Sequence, residues 1–229
     1  MKKNVNLRRY VALAMFTALA YASLFVLRIG GIGGFLTFDV KDAIIASAAM
    51  MFGPQYGVLI SFIVSIVEMI SVSGTGPLGA LMNFCSSAVF AAVGSLIYRY
   101  MPRIKRSIAG AVVGLFVSVL SMTAVMMLLN LIITPIYMEV PLEVVKELML
   151  PLLLPFNLVK ALLNAAVVLL IYKPVSTALK NIRALDGGAE KLSFSRKTLV
   201  LTVAALVVII GCVLFLVFAL NGQFEWVKK

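Results

Sequence analysis

The sequence predicts an all-α polytopic membrane protein, and three observations predict it. Hydrophobic residues make up 62% of the chain against 13% charged, the mean hydropathy is +1.10, and the apolar residues gather into seven segments near spanning length. Such a composition lies outside the soluble globular range and calls for lipid as solvent. The segments cover residues 9–29, 39–53, 55–73, 77–98, 108–133, 154–172 and 198–220, the second being the shortest. A net charge of +11 would suggest nucleic acid in a soluble protein. Here it follows from the loops, and no nucleic-acid partner is expected. With the N-terminus inside a bacterial cell membrane, Lys2, Lys3, Arg8, Arg9, Arg99, Arg103, Lys105, Arg106, Lys173, Lys180, Arg183, Lys191, Arg196 and Lys197 become cytoplasmic. Those fourteen of the 20 basic residues set the orientation, and seven crossings place the C-terminus outside.

Residues 9–29 form the first span. The basic start and Ala20-Tyr21-Ala22 are features of a cleaved leader, but the apolar run continues through Val26, so a retained helix is expected. Ala14, Ala18 and Ala22 recur every fourth residue, a smooth ridge where another helix can approach. Gly30 to Phe35 reads as a flexible external flap. Asp39 and Asp42 then open the second segment, where a carboxylate suits the positive end of the helix dipole. Phe52-Gly53-Pro54 makes a tight turn with proline at the start of the third helix, which carries Glu68 near its outer end. Ser73 to Pro77 makes the next turn, and the fourth span bears Asn83. The fifth ends near Asn130. Residues 134–151, with three prolines and an acidic amphipathic stretch from Leu142 to Leu150, read as an outer lid or a solvated connection. The sixth span follows, then a linker over 173–197 broken at Asp186-Gly187-Gly188. The last segment, within 198–229, has no ionisable residue between Thr198 and Leu220 and is followed by Trp226 at the interface. Without polar groups, that last helix is expected to be dispensable for binding.

Leu152 to Tyr172 is apolar enough to span, yet carries Asn157, Lys160 and Asn164. On a helix the three lie within about 60° of one another. A lysine at membrane depth costs about 2.5–3.5 kcal/mol on insertion scales, so this face must meet something polar. One reading pairs Lys160 with a carboxylate, Glu68 being the candidate, and lets the amides bridge helices. The other makes all three the wall of a binding pocket.

Depth favours the pocket. At ~1.5 Å per residue, Asp39, Glu68, Asn83, Asn130, Asn157 and Lys160 fall within about 10 Å of the external ends of their spans, and the inner halves hold no charge. A proton relay would spread polar groups through the whole depth, whereas a site for an external solute gathers them in one layer. Met82, Phe84, Leu153 and Phe156 in that layer suit a ligand with a flat apolar body and a polar edge.

Other functions find little support. Histidine is absent, so His-based metal sites, triads and proton relays are not expected. No H-E-x-x-H is present to suggest an intramembrane enzyme. No G-x-x-x-x-G-K phosphate loop is present either, so any ATP-driven work needs a partner. Cys85 and Cys212 lie inside spans, where cysteine acts as a small apolar residue. An ion-coupled carrier using Glu68 and Lys160 stays open, as does a site for another vitamin or precursor.

Over residues 9–172 the chain resembles the substrate-binding (S) components of energy-coupling factor (ECF) vitamin transporters, most closely the riboflavin-specific branch. The likeness is carried by Ala14, Ala18 and Ala22, by Phe38 to Asp42, by Phe52-Gly53-Pro54, by Asn83 and Asn130, and most specifically by Pro155 to Lys160. The resemblance implies a six-helix bundle over 1–172, with the last helix an addition to it. It implies that Asn157, Lys160 and Asn130 hydrogen-bond the polar edge of the isoalloxazine ring. It also implies an alanine ridge docking on a transmembrane coupling (T) subunit, and two cytoplasmic ATPases. Riboflavin would be cargo, and no cofactor or catalytic residue is expected.

Overall fold

The computed structural model describes residues 2–26, 28–32, 36–72, 74–182, 184–185 and 195–219. The chain is almost wholly helical: α1 (Lys2–Val26), a hairpin of β1 (Ile29–Ile32) and β2 (Leu36–Phe38), then α2 (Lys41–Phe52), α3 (Pro54–Ser71), α4 (Gly76–Tyr100), α5 (Ile108–Met138), α6 (Leu142–Leu148), α7 (Leu154–Asn181) and α8 (Arg196–Ala219). The flap read from the glycines is thus flanked by strands, paired antiparallel with Ile29 opposite Phe38 and Ile32 opposite Leu36. Gly33 to Phe35, Asp186 to Gly188 and Trp226 lie outside the described residues.

Among the described residues six helices are long and apolar enough to cross a membrane. The segment expected as a second span is not one of them. α2 has 12 residues, about 18 Å at 1.5 Å each, and all of them except Ile44 are buried. A helix apolar all round is stable where no face meets solvent, which makes α2 the centre of the bundle, wrapped by α1, α3, α4 and α7. It still returns the chain across the bundle. Its C-terminal carbonyls meet Arg9 at the start of α1, through Phe52 O at 2.9 Å, and Arg99 at the end of α4, through Met51 O at 2.7 Å. These guanidinium groups satisfy carbonyls that the helix end leaves open. The Arg9 guanidinium also sits 4.7 Å from the centre of the Tyr56 ring.

The turns follow the residues that make them. Gly53 links α2 to α3 at φ +132°, a backbone angle that disfavours side chains, and Pro54 starts α3 without wasting an N–H. Ser107 caps α5 by accepting from Gly110 N at 3.0 Å. α4 and α5 cross closely: a Cβ on Gly114 would lie 2.7 Å from the Gly94 carbonyl oxygen, so only glycine lets these backbones meet.

Two boundaries differ from expectation. The stretch 134–151 is mostly helix, with α5 running on to Met138 and α6 passing through a π-helical turn at Met149–Leu153 into α7. Pro151 and Pro155, each lacking an N–H, bracket the end of that turn. α7 also continues past Lys173 to Asn181, so helix occupies the first part of the expected linker. α8 packs on α7, burying Ala205 and Cys212 while most of its other described side chains face outward.

Candidate functional site

The N-terminal end of α2 buries charge on every side. Lys41, one residue into the helix, forms an ion pair with Glu68 of α3. Asp39, just before the helix, receives Lys160 Nζ of α7 at 2.9 Å. Asp42 in the first turn accepts from the Ser87 hydroxyl of α4. Asn164 fastens α7 to the same end. Its amide donates to the Asp39 carbonyl at 2.9 Å and its oxygen accepts from Ala43 N at 2.8 Å. Arg28, between α1 and β1, brings Nη2 to 3.8 Å from Glu68. Three cations, Arg28, Lys41 and Lys160, therefore meet three carboxylates, Asp39, Asp42 and Glu68, in one layer. Such a cluster survives burial because Asp39 and Glu68 each face a cation and Asp42 accepts a hydrogen bond. Removing one member of a buried pair typically costs about 3–5 kcal/mol.

Above this layer lies a cavity of about 80 Å³, walled by the hairpin, α4, α5 and α7. Asn83, Asn130, Asn157 and Lys160 all line it, together with Arg28, Ser86 and the apolar Leu36, Met82, Met126 and Phe156. The Phe156 ring lies 4.5 Å from that of Phe38. The amides of Asn130 and Asn157 each give one hydrogen to their own helix, to Met126 O at 2.7 Å and Leu153 O at 2.8 Å, which leaves each a second N–H. Lys160 likewise has three donors, of which Asp39 takes one. The wall thus offers directed donors on an otherwise apolar surface.

Four of the six residues expected to contact a ligand are therefore brought together. The other two, Asp39 and Glu68, are not among the residues lining the cavity. They stand behind it as counter-ions. The alternative reading, which paired Lys160 with a carboxylate, named Glu68 as the candidate; in the structure Asp39 holds Lys160 and Lys41 takes Glu68. The reason is the short α2, which carries Lys41 and Asp39 to the level of α3 and α7 respectively. Ala14, Ala18 and Ala22 lie exposed on the outer face of α1. Sequence reasoning missed Arg28 and Ser86. A serine in a span gives no signal. Arg28 gave a faint one, as a basic residue on the side where few are expected.

Known proteins resemble this chain over the same region. Residues 8–172 match the sequence profile of the family described as ECF transporter, substrate-specific component. The riboflavin transporter RibU of Staphylococcus aureus (strain TCH60) is 26% identical over 178 residues, covering 76% of this chain and 94% of that protein. A solved structure, described as "Structure and mechanism of the S component of a bacterial ECF transporter", shares the fold. Its TM-score is 0.64 at 24% identity, over 76% of this chain and 99% of that one.

Proposed function

Since the chain belongs to the ECF transporter substrate-specific components, we propose that it captures riboflavin outside the cell and delivers it inward with a coupling subunit and two ATPases. The family is one of transport components, not of enzymes. One observation carries the ligand assignment: Asn157 and Lys160, one turn apart on α7, share an apolar cavity with Asn130 of α5. Their remaining N–H groups suit the carbonyl oxygens along one edge of the isoalloxazine ring, while Leu36, Met82, Met126 and Phe156 suit its flat faces. The similar riboflavin transporter supports the same reading.

The cavity holds the volume of several water molecules rather than a tricyclic ring. Binding therefore requires its walls to part. The hairpin is the wall with the least mass to move, and its Leu36 and Thr37 face the cavity directly. The positive-inside distribution supports an outward orientation of this end of the bundle. ATP hydrolysis falls to partner subunits.

The full chain, purified from cells grown with riboflavin, should carry the visible absorption of a flavin. A colourless protein that also fails to take up added riboflavin would contradict the assignment.

A further inference from the structure

A groove at the other end of the bundle has apolar walls and a cation at its rim. Leu7, Arg8, Val11, Ala12 and Met15 of α1 line it together with Ile182 at the end of α7, around a volume of about 490 Å³. No residue lines both this groove and the ligand cavity. Ala12 is buried, whereas Leu7, Val11, Met15 and Ile182 are each more than half exposed, so the small side chain makes the floor and the larger ones the sides. Arg8 Nη1 donates to the Ile182 carbonyl at 3.0 Å and ties α1 to the end of α7. The apolar span of α1 begins at Leu7. From there to Met15 the helix rises ~12 Å, close to the hydrocarbon depth of one leaflet, half of ~30 Å.

Charge is divided sharply between the two ends. Every carboxylate among the described residues belongs either to the cluster beside the ligand cavity or to Glu139, Glu143 and Glu147 around α6. The end that holds the groove carries Arg8 and Arg9 of α1, Arg99 of α4, Lys180 of α7 and the basic turn from Arg103 to Arg106, with no carboxylate among the described residues. Its field attracts anions.

Together the groove and the charge select one class of occupant. Plain hydrocarbon would fill the groove but leave Arg8 without an anion. An acidic protein segment would meet Arg8 but would not suit apolar walls sunk to the depth of a leaflet. An amphiphile with an acyl chain and a phosphate satisfies both, as basic pockets between membrane helices hold anionic headgroups. A guanidinium has five N–H donors, and the exposed Arg8 gives one to Ile182, which leaves enough for a bidentate contact with phosphate. We propose that this groove binds an anionic phospholipid, with an acyl chain along Val11, Ala12 and Met15 and its phosphate on Arg8.

Native mass spectrometry of the full chain, titrated with phosphatidylglycerol or with phosphatidylcholine of the same acyl chains, reads the affinity for each lipid. The wild type should bind phosphatidylglycerol more tightly. Arg8→Gln should lower that affinity roughly fivefold and leave the affinity for phosphatidylcholine unchanged. Met15→Trp, which fills the groove and keeps every charge, should weaken both lipids. Arg103→Gln, which removes the same charge from outside the groove, should change neither. All three side chains are exposed, so none of these changes removes a buried contact. Equal affinities of the wild type for the two lipids would overturn the proposal. Equal losses from Arg8→Gln and Arg103→Gln would overturn it in favour of a diffuse basic surface. Wild-type binding of both lipids by Met15→Trp would overturn it as well, leaving the groove to a helix of a partner protein.

Discussion

Lys160 pairs with Asp39 in this structure and, under the proposed function, also donates to the ligand, so its substitution should expose both duties. Its pairing with Asp39 means that Lys160→Met strands a buried carboxylate, at a cost of about 3–5 kcal/mol, and so should melt well below the wild type. The double variant Asp39→Asn/Lys160→Met should recover most of that stability without recovering riboflavin affinity, because the neutral pair no longer needs a counter-ion but the donor to the ligand is gone. Asn157→Ala should separate the duties from the other side. It removes only an amide, so affinity should fall roughly tenfold to a hundredfold with little change in melting temperature. Wild-type affinity in both Asn157→Ala and the double variant would contradict the placement of the ligand. At this scale the sequence was readable where a polar residue interrupted an apolar run, which is how Asn157, Lys160 and Asn130 stood out. Pairing was not readable, because Asp39, Lys41 and Glu68 lie at similar depth and only the seating of α2 decides which carboxylate each lysine meets.

Among the elements, α1 and α8 invite opposite expectations. Ala14, Ala18 and Ala22 form an exposed strip on α1, away from the cavity. Ala18→Trp should therefore abolish uptake in cells while riboflavin binding by the purified protein stays at the wild-type level, since a large side chain blocks close helix approach. Undiminished uptake would show that the partner docks elsewhere. α8 looked dispensable in sequence because it carries no charge. In the structure Cys212 joins Leu36, Phe38, Phe156 and Val159 in one buried cluster, and Leu36 and Phe156 also line the cavity. A chain ending at Asn181 should therefore bind riboflavin more weakly and melt lower than the full chain. Full affinity and an unchanged melting temperature would make α8 a bystander. The contact was hidden because an apolar helix in a membrane protein shows the same surface to lipid and to a neighbouring helix.

The whole molecule is a bundle built around a short buried helix whose N-terminal end carries a cluster of buried charges and, beside it, a small cavity. Most of that plan was legible: hydropathy marked the long helices, and the depth of the polar residues gave the layer. The central role of α2 was not, since a 12-residue apolar run reads equally as a weak span or a buried core helix. Everything functional converges on one assertion, that the cavity above this helix accepts the isoalloxazine ring by its polar edge. Titrating the purified full-length chain with riboflavin, in the presence and absence of excess thiamine, tests it most directly. The account predicts saturable quenching of flavin fluorescence at one riboflavin per chain, undisturbed by thiamine. Absence of quenching, or its removal by thiamine, would contradict it.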